Sequence, residues 1–134
     1  MKIERSIRLI GSDKQETATV VYEPADRPCR LVLRYRDISL EESAPDFFEA
    51  FCRLRSQLDK KGLQPLCYGA SLNVYPSRMA RDMGAGLKAY RVNIGQQARR
   101  TDLVDTFEYG PDVIPATVEQ QKDFWQAWLK SLES

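Results

Sequence analysis

The chain has 134 residues, 43% of them hydrophobic and 29% charged, which describes one globular domain and excludes a disordered one. Its 20 basic and 19 acidic residues leave a formal net charge of +1, so overall electrostatics gives no push toward nucleic acid or an anionic membrane. Histidine is absent, which removes the usual zinc ligand sets and every histidine-based catalytic triad.

A domain of this size buries roughly two-thirds of its unfolded surface, so its core needs neither metal nor disulfide. Cys29, Cys52 and Cys67 are odd in number, widely spaced and set beside apolar neighbours. They are expected to be small buried hydrophobes in a reducing compartment. No apolar run is long enough for a transmembrane helix. The N-terminal run MKIERSIRLIG has no signal-peptide core. The expectation is a cytoplasmic protein with no cofactor; the sequence fixes no oligomeric state.

In chain order, residues 2–10 alternate as a strand, with Ile3, Ile7 and Leu9 on one face. Gly11 to Lys14 is a turn. Residues 16–23 form a second strand rich in β-branched side chains. Pro24 to Pro28 breaks it, and residues 29–36 form a third. Cys29, Leu31, Leu33 and Tyr35 share its inner face; Arg30, Arg34 and Arg36 share the wet one, solvated or paired with Glu4 or Glu16. Ser43, Pro45 and Asp46 open a long helix with a stripe of Phe47, Phe51, Leu54 and Leu58, and Gly62 ends it. Arg53 and Arg55 are placed with the basic residues of its second half, which suit the negative helix end.

Leu63 to Ala70 is predicted as a fourth strand, edge-like because of Pro65. A loop follows from Ser71 to Pro76, then a short helix over Ser77–Met83. Leu87–Ile94 and residues 102–109 complete the strands. Thr117 and Gln120 open a last helix running to about Leu132, with Phe124, Trp125, Trp128, Leu129 and Leu132 as its apolar stripe. The predicted fold is α+β: an antiparallel sheet of five or six strands, two long amphipathic helices packed on one face and one short helix in a loop.

The chemistry-bearing stretch lies between Gly62 and Asn93. Tyr68, Ser71, Asn73, Tyr75, Arg78, Arg81, Tyr90 and Arg91 form the candidate binding constellation. Tyrosine and arginine combine contact area with directional hydrogen bonds and typically anchor recognition surfaces. The competing structural reading pairs Arg78 and Arg81 with nearby acids and sets the tyrosines at the rim of the core. Gly84-Ala85-Gly86 follows a helix and leads into a strand, the reverse of a phosphate loop, so its glycines read as structural. Ser71, Cys67, Tyr90 and Asp82 are nucleophile or acid–base candidates by type alone, with no partner base at recognisable spacing.

Charge is segregated along the chain. Residues 78–100 carry six basic side chains against Asp82, and residues 102–119 carry only acids, a pattern that suits a polarised protein–protein surface. The run YPSRMARDMGAGLKAYRV, residues 75–92, resembles a segment of small uncharacterised bacterial proteins. In size, charge segregation and lack of catalytic residues the chain also resembles immunity proteins, which neutralise a cognate toxin by covering its active site. That resemblance implies a non-catalytic binding protein with a protein partner. The alternative is a small-molecule or phosphometabolite-binding protein or enzyme built on the same Arg/Tyr loop, with Arg78, Arg81 and Tyr90 converging on a pocket. Nucleic-acid binding would need Arg30, Arg34 and Arg36 to join the basic 78–100 patch.

Overall fold

The computed structural model describes residues 1–11 and 15–133. The turn predicted over Gly11–Lys14 therefore lies largely outside the described residues. The first three strands form where alternation predicts them: β1 (Ile3–Ile10), β2 (Gln15–Tyr22) and β3 (Cys29–Tyr35). A fourth strand, β4 (Ile38–Ala44), follows at once, in a stretch assigned no strand above. Tyr35 pairs with Ile38, so the chain reverses on Arg36 and Asp37 alone, with Arg36 at φ 52°.

β4 displaces the predicted helix start. Ser43 and Ala44 belong to the strand, and Asp46 is the cap, its Oδ1 accepting the Glu49 amide at 2.8 Å. Helix α1 spans Phe47–Asp59. It closes where Gly62, at φ 75°, donates to the Asp59 carbonyl and Leu63 donates to that of Leu58. This is the paired closure that left-handed glycine permits.

β5 (Gln64–Leu66) returns to the far side of β1, giving a fully antiparallel sheet in the order β4-β3-β2-β1-β5. Pro65 fits because β5 is an edge. The predicted strand to Ala70 stops early: residues Tyr68–Ala70 wind into a short 3-10 turn. Gly69 is required there, because a Cβ would lie 2.8 Å from the Thr106 carbonyl oxygen.

The remaining strands do not extend the first sheet. β6 (Val74–Tyr75), β7 (Lys88–Arg91) and β8 (Leu103–Asp105) form a separate three-stranded sheet in that order. Helix α2 (Arg78–Gly84) joins β6 to β7 and is capped by Ser77 as its sequence predicts. Helix α3 (Val118–Ser131) starts with the predicted capping box of Thr117 and Gln120. It does not join α1 on the large sheet, however; it packs against β6 and the side of α1. Its stripe explains why: Trp128 is buried, but Phe124, Trp125 and Leu132 are half-buried and Leu129 is exposed.

The main core lies between the five-stranded sheet and α1. Leu9, Val20, Leu31 and Leu33 meet Phe47, Phe51, Leu54 and Leu58, all fully buried. Each such side chain contributes roughly 1.5–3 kcal/mol on burial. A smaller cluster of Tyr68, Val74 and Ala89 serves the second sheet. All three cysteines are buried and unbonded, and burial pushes the Cys52 and Cys67 thiols up to about 11 and about 12. Among the described residues no helix is long and apolar enough to cross a membrane.

Candidate functional site

The eight candidate residues all border the small sheet, but they fall into separate groups. Ser71 is fully buried, and its hydroxyl accepts the Ile114 amide at 2.9 Å and contacts Asn73 Oδ1 at 3.2 Å. The Asn73 carbonyl accepts the Val92 amide at 2.8 Å. These bonds hold a turn together, and the Ser71 hydroxyl is used within the chain both as donor and as acceptor.

Tyr75 and Tyr90 face each other as register partners across β6 and β7, and Val74 pairs with Arg91. Tyr75 stands in an aromatic ladder, edge-on to Phe48 at 5.1 Å and stacked on Trp125 at 5.1 Å, which stacks on Trp128 at 4.8 Å. The Arg81 guanidinium lies over the Phe48 and Tyr75 rings at 5.1 and 5.2 Å and donates to Asp46 Oδ2 at 3.1 Å. Asp46 thus caps α1 with one oxygen and holds α2 with the other.

Tyr68 and Arg91 meet at Asp112. The Tyr68 hydroxyl donates to Oδ1 at 2.6 Å, and Arg91 Nη1 donates to Oδ2 at 3.0 Å. The bond to Asp112 raises the Tyr68 phenol above its ordinary value, while the Tyr68 and Arg91 hydrogen bonds hold the Asp112 carboxyl below its usual range. Gly110 packs so closely here that a Cβ would lie 1.8 Å from the Tyr68 hydroxyl.

Arg78 stands apart. Its side chain is 97% exposed, and its nearest acid is Asp82, at 4.0 Å one turn along the helix. The two guanidinia of α2 therefore face different surroundings, Arg78 in solvent and Arg81 on Asp46 and two rings. The Gly84–Gly86 turn is seated on the start of α1. Its Ala85 carbonyl accepts the Phe47 amide at 2.7 Å, and a Cβ on Gly86 would lie 2.7 Å from the Phe48 nitrogen. A helix N-terminus near glycines could hold phosphate, but this one is filled by the chain's own carbonyl and carboxylate. No protein-family model matches this chain, and no curated protein matches it. Its own geometry therefore carries the functional argument.

Four residues important to this region lie outside the predicted constellation. Met79 and Met83, one turn apart on α2, are 69% and 83% exposed, and α2 buries none of its residues. Their four-residue spacing on a helix is the signal in the sequence. Arg55 and Gln121 are the opposite case, 3% and 1% exposed. Arg55, expected among the basic residues of the α1 C-terminal half, enters the interior instead. Arg55 falls four residues after Phe51, and Gln121 four before Trp125, so both occupy stripe positions.

Arg55 Nη1 donates to Gln121 Oε1 at 2.6 Å and to the Gly69 carbonyl at 3.2 Å, and Nη2 donates to the Ala116 carbonyl at 2.9 Å. Gln121 Nε2 in turn donates to the carbonyls of Gly69, Ser71 and Val74 at 3.0, 2.9 and 2.8 Å. This polar knot joins α1, α3 and the irregular segment between β5 and β6. On the wet face of the large sheet, Arg36 pairs with Glu16, as one of its predicted partners, and Arg30 pairs with Glu41.

Proposed function

We propose that the protein is a non-catalytic binding protein that captures another protein through α2 and its flanks, in the manner of immunity proteins that cover a toxin. The observation that carries this reading is the state of α2. A short helix that buries nothing presents Met79, Met83 and Arg78 outward, while Arg81 on Asp46 and the Ala85 carbonyl on the Phe47 amide fasten it to the body. Methionine adapts to a partner surface, and arginine is a frequent interface anchor. A fastened but uncovered helix is prepared for contact at little ordering cost.

The same-loop phosphometabolite reading has less support. Arg78 and Arg81 point into different environments, and the nearby helix start is already occupied. Recognition of nucleic acid through β3 is also disfavoured, since Arg30 and Arg36 are paired with glutamates.

The test uses the products of the genes flanking this one, each expressed with and without the chain. One of them is expected to be toxic alone, to be tolerated when co-expressed, and to co-elute with the chain. Met79→Glu with Met83→Glu should abolish rescue and co-elution with an unchanged melting temperature. Equal rescue by that variant would place the contact elsewhere, and absence of any bound flanking product would sink the immunity reading.

A further inference from the structure

The two edges of the five-stranded sheet differ. β5 has three residues and holds Pro65, and both brevity and proline keep an edge from pairing. β4 runs for seven residues without proline, lysine or a break in register. The Arg36–Asp37 reversal sets the direction of its backbone groups. A two-residue turn closed by Tyr35 and Ile38 makes that pair exchange both backbone hydrogen bonds. Alternation then aims the backbone of Leu40, Glu42 and Ala44 at β3, and that of Ser39, Glu41 and Ser43 at the open side. The Ser43 carbonyl bears this out, because Arg53 Nη1 reaches it at the edge and donates to it at 2.7 Å. The Ser39 and Glu41 amides and carbonyls have no partner among the described residues.

The apolar face is also incomplete at this edge. Ile38 and Leu40 lie opposite Tyr35 and Leu33 and pack against the main core. Tyr35 and Leu33 are buried, whereas Ile38 and Leu40 remain half-buried. An apolar side chain one strand further out would cover them.

The acids of β4 do not close the edge, but they select what fits it. A second copy of β4 can approach antiparallel about a two-fold axis, the outward residues exchanging hydrogen bonds. An axis centred on Ser39 sets Glu41 opposite Asp37. An axis centred on Glu41 or on Glu42 sets that acid opposite itself. Like charges directly opposite destabilise a strand pair. Centred on Leu40, no acid faces an acid: Leu40 meets Leu40, Ser39 meets Glu41, and Ile38 meets Glu42, whose carboxylate Gln57 already holds. Asp37 then comes opposite Ser43, at the end of the edge where the Arg53 guanidinium stands. We propose that the chain forms a two-fold homodimer through β4, paired antiparallel about Leu40, so that two five-stranded sheets become one. β4 belongs to the large sheet and α2 to a connection of the small one, so this inference does not rest on the binding role of α2.

The test is sedimentation equilibrium of the whole chain from about 10 μM to 1 mM, with amide exchange followed by nuclear magnetic resonance at both ends of that range. The mass is expected to rise toward twice the monomer value. The Ser39 and Glu41 amides should exchange at least about tenfold more slowly in the concentrated sample. Ser39→Pro removes an outward amide and no ladder bond, so the dilute protein should keep its melting temperature while its mass stays monomeric throughout. Crosslinking reads the register. The Cα atoms of residue 40 in the two copies would lie about 4.5 Å apart, so Leu40→Cys should form an intermolecular disulfide under mild oxidation and Ser39→Cys should not. Cys29, Cys52 and Cys67 are buried and do not compete. The proposal is overturned if the unmodified chain stays monomeric to the top of the range, or if its Ser39 and Glu41 amides exchange at one rate throughout. It is equally overturned if folded Ser39→Pro dimerises as before, or if Ser39→Cys crosslinks and Leu40→Cys does not.

Discussion

The five-stranded half and the three-stranded half of this molecule are stabilised differently. The first is a regular meander under α1, held by fully buried leucines, valines and phenylalanines. The second has strands of only two to four residues and a small apolar cluster. Three polar junctions fasten it: Arg55 with Gln121, Asp46 with Arg81, and Tyr68 with Asp112 and Arg91. Apolar burial tolerates approximate geometry, whereas a polar junction stabilises only when each donor meets its acceptor. The half that carries the proposed binding surface is therefore the half whose position depends on individual hydrogen bonds.

Leu54→Ala, deep in the first half, is expected to cost about 3–4 kcal/mol in urea-induced unfolding, through lost transfer energy and a cavity. Gln121→Leu tests the second half most severely. It strips a buried guanidinium of a partner and leaves the Val74 carbonyl without its donor, so a loss of about 3 kcal/mol is expected. The pair Arg55→Met with Gln121→Leu should cost less than the sum of the singles. Strict additivity would show that the two side chains do not act as a unit.

Asp112→Ala should cost about 1 kcal/mol, a figure reduced for its partial exposure. Its pH signature is more specific. Asp112 titrates below its ordinary value in the fold, so its contribution is present above the unfolded carboxyl value and fades as pH falls through the folded one. Tyr68 titrates above its ordinary value, so its contribution is present at neutral pH and fades as pH rises through the folded phenol value. Ultraviolet difference titration should show the Tyr68 phenol moving down in Asp112→Ala; an unmoved phenol would dissolve this junction. The smallest effect is expected from Ala85→Gly. Ala85 ends α2 at φ 55°, where glycine is unstrained, and a gain of about 0.5 kcal/mol should appear as a slightly raised melting temperature.

Sequence legibility follows the same division. Alternation over β1 to β3, the Thr117–Gln120 capping box and the Ser77 cap are local signals, and local hydrogen bonds produce what they predict. β4 escaped because its turn uses Arg36 and Asp37, where hairpin reversals commonly advertise themselves with Asn-Gly or Asp-Gly. Glu42 then interrupts its inward pattern, half-buried and accepting from Gln57 at 2.5 Å. The split into two sheets was not legible, because it depends on Gly69 lying against Thr106 and on α3 seating against β6. At the candidate site, residue type identified Tyr68, Tyr75, Arg81 and Arg91 but not their partners Asp112 and Asp46, which are distant in sequence. Arg55 and Gln121 were legible as polar residues within apolar stripes, a cue that their residue type alone conceals.

The return of β5 to β1 has a consequence for biosynthesis. During translation at about 5–20 residues per second, β1, β2, β3 and β4 emerge well before Gln64–Leu66, and α1 must follow them before β5 can arrive. For about 1–4 seconds at that rate the nascent meander exposes the open edge of β1 together with its uncovered apolar face, a template for pairing with a neighbouring chain. The alternating Glu4, Ser6 and Arg8 side chains, set along that strand, keep its other face hydrophilic through this interval.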